Sequence, residues 1–133
     1  MKIKSIQITI ASSLLVLFFN IAVYASSNVM KIAVASMGQT KDSAISQQAA
    51  RTHFFLFFDD KGNFFETVEN PAKNKSRNAG PSAASFLADN GVTLVIAEDF
   101  GNKMKQVLEE YHIKYIKQTG VAHNVVKIFI KTR

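Results

Sequence analysis

The chain has 133 residues, and its 16 lysines and arginines outnumber its 10 aspartates and glutamates, which gives a net charge of +6 at pH 7. It contains no cysteine, which excludes disulfides, thiolate metal ligands and thiol catalysis. Its basic residues are spread along the sequence without interleaved aromatics or a recognisable reader motif, which argues against a nucleic-acid partner.

The first 25 residues have the pattern of a secretory signal peptide. Two lysines precede an apolar run, 6–23, and Val23 and Ala25 place small residues where a signal peptidase cleaves. We therefore predict cleavage after Ala25, a domain of residues 26–133, export to the periplasm or the extracellular space, and a mature form that does not span the membrane. The alternative is a retained anchor, because the run approaches the roughly 20 residues that span a bilayer. The polar Asn20 within the run favours cleavage.

The first half of the domain predicts three strands. Residues 31–36 form a short, nearly continuous apolar run, which is typical of a strand covered on both faces. A long polar loop follows. The Phe-rich segment 53–58 and the segment 64–69 flank the turn residues 60–63, and this pattern predicts an antiparallel hairpin.

In the second half, helices and strands alternate. A helix opens at Gly80-Pro81-Ser82, because proline is tolerated in the first turn, and it ends at Asn90-Gly91. The remaining predicted elements are a strand at 92–97, a helix at 103–111, a strand at 113–117 and a helix at 121–130.

This order of elements predicts an α/β fold. We expect a ribonuclease H-like mixed five-stranded sheet in the order 3-2-1-4-5, with strand 2 antiparallel and helices on both faces. The residues expected in the core are Val34, Phe55, Phe57 and Val95. Strand alternation directs Phe54 and Phe58 to the opposite face, which another layer must cover.

The predicted ligand site lies beyond the carboxyl ends of the strands, where the strand order reverses. Gly80-Pro81-Ser82 and Thr119-Gly120-Val121 place two helix starts at this edge, where free N–H groups attract anions. Arg51 can pair bidentately with an anionic ligand, and the thioether of Met37 suits a soft metal such as Cu(I). The candidate ligand-binding residues are Ser36, Met37, Gly38, Arg51, Gly80, Ser82, Gly101, Thr119 and Gly120.

Several short segments share their order and spacing with one known family. They are 30–36, the Phe-rich strand ending in Asp59, 69–72, 87–92, 100–102, 112–114 and Thr119-Gly120. On these segments, residues 30–129 resemble the dinitrogenase iron–molybdenum cofactor biosynthesis family, also called nitrogenase accessory factor-like. The resemblance implies a ribonuclease H-like fold and a protein that carries metal–sulfur clusters or their precursors without catalysing a reaction itself.

The chain departs from that family in the loop after the first strand. Cluster-binding members tend to carry Ser-x-His-Phe-Gly there, and the matching positions in this chain are 46–50. Gln48 stands in the histidine position, and Ala49 and Ala50 replace the Phe-Gly pair. The resemblance thus implies a metal–sulfur cluster or a metal ion as the cargo. This chain lacks the histidine that would ligate such a cargo, so the cofactor stays unassigned.

The sequence lacks the signatures of an enzyme. Strand 31–36 has no carboxylate for a two-metal nuclease, and neither a nucleophile elbow nor a phosphate-binding loop motif is present. The histidines, His53, His112 and His123, do not have the spacing of a zinc motif. We interpret the chain as a non-enzyme. It is either a carrier of a metal cluster, metal ion or small anion, or an interaction module that lost the ligand and binds a protein partner through the hairpin.

Overall fold

A computed structural model describes residues 29–133 of the chain. The predicted signal peptide, its cleavage site and the alternative anchor lie outside these residues. Between residues 29 and 133, no helix has the length and apolar character needed to cross a bilayer.

The described residues form five strands and three helices in the predicted order. Their bounds are β1 Ile32–Ser36, β2 Phe54–Phe58, β3 Phe64–Glu69, α1 Ala79–Asp89, β4 Leu94–Ala97, α2 Asn102–Glu110, β5 Lys114–Lys117 and α3 Ala122–Thr132. Each predicted element is present, and the ends differ by at most two residues. The loop between β1 and β2 contains no helix.

The sheet has the order β3-β2-β1-β4-β5, as predicted. β2 is antiparallel to β1 and to β3, whereas β4 is parallel to β1 and to β5. The hairpin explains the antiparallel pairing of β2 with β3, the loop between β1 and β2 returns the chain antiparallel to β1, and the helical crossovers before β4 and β5 explain the parallel pairs. The predicted mixed sheet is therefore confirmed, and it is compatible with a ribonuclease H-like arrangement.

The two faces of the sheet are covered by different layers. On the first face, Phe55, Phe57 and Val95 pack against α1 and α2. On the second face, Val34 and Phe58 pack against α3. All five of these side chains are fully buried, which confirms the core prediction and the alternation along β2. One face thus carries two helices and the other carries one.

Both α1 and α2 end in a left-handed residue. Gly91 has φ +73° and follows α1, where its N–H donates to Ala88 O (2.9 Å) and the Val92 N–H donates to Leu87 O (3.1 Å). This Schellman motif confirms the predicted helix end. His112 adopts φ 58° in the same position after α2. The backbone of His112 therefore has a structural role at the helix end.

Candidate functional site

The loop between β1 and β2, residues 37–53, crosses the carboxyl edge of the sheet at the predicted crevice. The N–H of Ser46 donates to Ala35 O (2.8 Å), and the N–H of Glu98 donates to Ser46 O (3.1 Å). These hydrogen bonds join the ends of β1 and β4 through the loop. The point where the strand order reverses is consequently bridged by backbone and is not an open cleft.

The same loop covers the start of α3. The N–H groups of Ala122 and His123 donate to the carbonyls of Ser43 (3.0 Å) and Lys41 (2.9 Å). A helix start attracts anions through free N–H groups, and here the first two already have acceptors. The loop therefore takes the place that an anion would occupy beside Gly120.

The starts of α1 and α2 remain open and lie side by side. Between them is a cavity of about 280 Å³, which we call the helix-start depression. The residues that line it include Arg51, Asn78, Gly80, Gly101 and Lys103. Neither of these two helices has a side-chain cap, and no described residue that lines the depression is acidic. The geometry thus combines two helix dipoles with two cationic side chains, an arrangement that favours an anion.

Two glycines give the depression its shape in different ways. A Cβ atom at Gly80 would lie 3.0 Å from Met104 Cβ and 3.1 Å from Met104 N, so glycine allows α1 and α2 to approach each other. A Cβ atom at Gly101 would meet no atom within 4 Å, and the φ of Gly101 is −65°. The local structure does not require glycine at position 101, and a larger residue there would fill the depression.

Arg51 is held in place by its two neighbours in the chain. The buried Asn70 side chain donates from Nδ2 to Ala50 O and to Thr52 O, both at 2.9 Å. The Thr52 hydroxyl donates to Ser36 O at 2.8 Å, and the Arg51 guanidinium donates from Nη1 to Lys75 O at 2.7 Å. The sequence alone does not single out Asn70. Its role in positioning the loop follows from contacts that no local motif signals.

A second cavity of about 250 Å³ adjoins the helix-start depression and shares Arg51 and Gly101 with it. Gln48 and Asp99 line this second cavity. Asp99 forms an ion pair with Lys117 at 2.8 Å, and the hydrogen bond from Lys117 and that from the Phe100 N–H lower the pKa of Asp99. The position of the missing family histidine therefore lies next to the open helix starts.

The structure brings Arg51, Gly80 and Gly101 together but separates the other predicted site residues. The Ser36 hydroxyl donates to Gly38 O (2.7 Å) and accepts from the Gly38 N–H (3.2 Å), so it closes a turn. Met37 is 67% exposed in the loop, Ser82 lies within the first turn of α1, and Thr119 lines a cavity between β5 and α3.

The three histidines do not form a metal site. His53 precedes β2, His112 follows α2 at the opposite edge of the sheet, and His123 lies in the first turn of α3. Among residues 29–133, no three histidine, aspartate or glutamate side chains come together in a way that could hold a metal ion.

Comparison with known proteins places the chain in a family. Residues 30–132 match the family model described as dinitrogenase iron-molybdenum cofactor. No curated protein gives a significant match.

Several solved structures are similar to the chain. The apo form of the orange protein from Desulfovibrio gigas is 25% identical, with a TM-score of 0.73 over 80% of this chain and 91% of that chain. A candidate NifB protein from Thermotoga is 26% identical, with a TM-score of 0.67 over 78% of this chain and 90% of that chain. A candidate dinitrogenase from Methanocaldococcus jannaschii is 14% identical, with a TM-score of 0.53 over 77% of this chain and 89% of that chain. At this identity the similarity shows the fold alone. With a family model matched over nearly all of the described domain, this chain belongs to the dinitrogenase iron–molybdenum cofactor family.

Proposed function

We propose that the chain is an exported carrier that binds a small anionic ligand at the helix-start depression and catalyses no reaction itself. One observation supports this proposal most directly: the uncapped starts of α1 and α2 line one cavity together with Arg51. Free N–H groups and a guanidinium are the donors that recognise phosphate-like and other compact anions.

The donor set also limits the kind of metal cargo. The depression offers N–H groups, Arg51 and Lys103, and its described lining contains no carboxylate, histidine or cysteine that could ligate a bare cation. A metal can therefore be held there as part of an anion, such as an oxyanion or an anionic metal–sulfur species, whose outer atoms accept hydrogen bonds. Membership of the family supports a cargo that contains a metal, and the similarity to the orange protein, which was solved in an apo form, supports a protein that takes up a ligand.

Export is part of the proposal and rests on the leader. Lys2, Lys4 and the apolar run that ends at Val23-Tyr24-Ala25 favour cleavage before Ser26. Intact-mass analysis of the protein after expression of the full chain should show loss of residues 1–25. A full-length mass in the membrane fraction would instead indicate a retained anchor.

A second candidate function is an interaction module that binds no small ligand. Gln48, Ala49 and Ala50 favour it, because these positions lack the His-Phe-Gly residues of cluster-binding relatives. In this case the helix-start depression would be a by-product of the close packing of α1 and α2 at Gly80.

The two functions can be separated by titrating the isolated protein with phosphate, molybdate, tetrathiomolybdate and divalent metal salts. The carrier proposal predicts that an anion shifts the backbone amide NMR signals of Gly80, Gly101 and Lys103 before other signals. Replacing Arg51 by alanine should weaken that binding about tenfold, because it removes a charge-assisted hydrogen bond. Arg133→Ala removes the same charge at the far end of the molecule and should leave the affinity unchanged. Unchanged amide signals across the whole panel would reject the carrier.

A further inference from the structure

The sheet has two edges, and they differ in how well they can accept another strand. In the part of the chain that the structure describes, β3 and β5 each have a neighbour on one side only. The β3 ladder is interrupted by a register shift between Phe57 and Phe58, and Thr67 is held by a hydrogen bond from its hydroxyl to Gln39 O (2.6 Å). The β5 ladder is regular along its whole length. A bulge protects an edge from any partner strand, whereas β5 is protected only by its short length and its two terminal lysines, and an acidic strand would neutralise these charges.

An apolar groove runs beside β5 on the face that carries α3. It consists of two cavities of about 240 and 700 Å³ that share Ile116 and Phe129. Met30, Leu94 and Val125 add further apolar walls. Ile128, which is 62% exposed, extends the apolar surface along the rim.

The groove exists because one helix cannot cover this face of a five-stranded sheet. α3 is the helix that packs on this face, through the buried Ala122 and Val126, whereas the opposite face has both α1 and α2. Along β5, Ile116 points to the groove side together with Lys114, because their partners Ile96 and Leu94 belong to the α3 face. A strand added to β5 would place every second side chain over this groove.

The charges around the groove indicate the chemistry of its partner. Lys114, Arg133 and His112 line the larger cavity, and no described residue that lines either cavity is acidic. A second copy of this chain is less suitable, because antiparallel pairing of two β5 strands would bring two basic grooves together on one face of the sheet, with no acidic side chain lining either groove.

We propose that the β5 edge binds an extended, acidic segment of a partner protein, which pairs with β5 as a sixth strand. On the groove side, this segment places an apolar side chain beside Ile116, where it also contacts Ile128 and Phe129. Because Lys114 and Ile116 share this face of β5, an acidic side chain two residues along the segment lies beside Lys114 and Arg133. Main-chain hydrogen bonds supply affinity in this mode of recognition, and the groove and its charges supply specificity. This surface is separate from the helix-start depression, so a carrier could bind its partner and its cargo at the same time.

The test uses the protein isolated after expression of the full chain and three synthetic peptides. The first peptide repeats Glu-Thr-Val-Thr, so that one face of the strand carries glutamate and valine in turn. The second peptide has lysine in place of glutamate, and the third is a scrambled form of the first. We expect the first peptide to bind and to shift the amide signals of β5 and of Ile128. Alternate N–H groups of a strand point to opposite edges, so N-methylation of one alternate set of peptide amides should abolish binding and N-methylation of the other set should not. A purely electrostatic contact would not distinguish the two sets.

Variants at exposed positions complete the test without threatening the fold. Lys114→Glu should weaken binding of the glutamate peptide about tenfold or more, and the same charge change at Lys75, which is exposed beside Arg51 and away from the groove, should have less than about a twofold effect. Ile128→Gln should also weaken binding, because it removes apolar surface from the rim.

Three results would overturn the proposal. The first is equal binding of the first peptide and its scrambled form, or no binding of either. The second is a concentration-dependent dimer that is lost in Ile128→Gln, which would assign the groove to a second copy. The third is that the protein binds phosphatidylglycerol vesicles but none of the peptides, and that Ile128→Gln loses the vesicle binding. This result would assign the face to a lipid surface.

Discussion

Two groups of helix starts lie at the carboxyl edge of the same sheet, and only one of them is open. At the start of α3, the carbonyls of Lys41 and Ser43 accept hydrogen bonds from the first two N–H groups. At the starts of α1 and α2, the described residues supply no side-chain cap, and a cavity lies between the helices. All three helices have the same polarity. The comparison teaches that the segment crossing a helix start, and not helix polarity alone, decides whether an anion can bind there.

The largest predicted effect concerns the sheet that supports the open helix starts. Phe57 is fully buried beneath the α1 and α2 layer, and Phe57→Ala should lower the free energy of unfolding by about 3–5 kcal/mol. Phe65→Ala is the control, because Phe65 is 51% exposed, and its loss should stay below about 1 kcal/mol. Urea unfolding of the two variants measures the difference. Equal losses would mean that Phe57 does not support this layer.

The second prediction tests how the loop holds Arg51 beside the open helix starts. Asn70→Ala leaves the carbonyls of Ala50 and Thr52 without the side-chain donor, so the free energy of unfolding should fall by about 1–3 kcal/mol. Asn63→Ala removes an exposed amide that contacts Asp59, and its effect should be within about 0.5 kcal/mol. Anion affinity should fall with Asn70→Ala alone. An unchanged affinity would show that Arg51 needs no such support.

The third prediction separates the two glycines of the depression. Gly80→Ala forces Met104 aside and should lower the free energy of unfolding by about 1–3 kcal/mol. Gly101→Ala meets no atom, so its stability should change by less than about 1 kcal/mol. Its Cβ atom would nevertheless enter the cavity and weaken anion binding. Thermal unfolding and anion titration of both variants measure these effects. If Gly101→Ala bound anions as tightly as the original protein, the anion site would not lie beside Gly101.

The smallest predicted effect lies at the covered start of α3. Burial lowers the pKa of His123 below its ordinary value of 6.5, and the nearby Lys127 and Lys41 lower it further. Because the unfolded chain then binds this proton more readily than the folded protein, stability should be constant above pH ~6.5 and fall as the pH decreases through that value. NMR titration of the His123 ring should give a midpoint below 6.5, and Lys41→Ala should raise it. A midpoint at or above 6.5 would show that the loop does not enclose the imidazole.

The sequence by itself determined the order of elements and most of the core. The hairpin followed from two apolar segments around a turn, in which Asp59 Oδ1 accepts from the N–H groups of Lys61 and Asn63, as a turn-forming aspartate should. The end of α1 followed from Gly91, because glycine adopts the left-handed conformation without strain. These signals are local, since each depends on neighbouring residues and on the period of a strand or helix.

Only the tertiary structure decided which part of the predicted site is open. The nine candidate residues share one edge of the sheet, but backbone carbonyls of the loop close the side near Gly120, and carbonyls carry no sequence signal. The placement of Arg51 likewise depends on Asn70, which lies close to it only because β2 and β3 pair. The groove beside β5 results from one helix covering one face, which no segment reveals by itself. The local sequence pattern determines each helix and strand. Which surfaces stay open depends on which distant segments of the chain pack over the ends of those helices and strands.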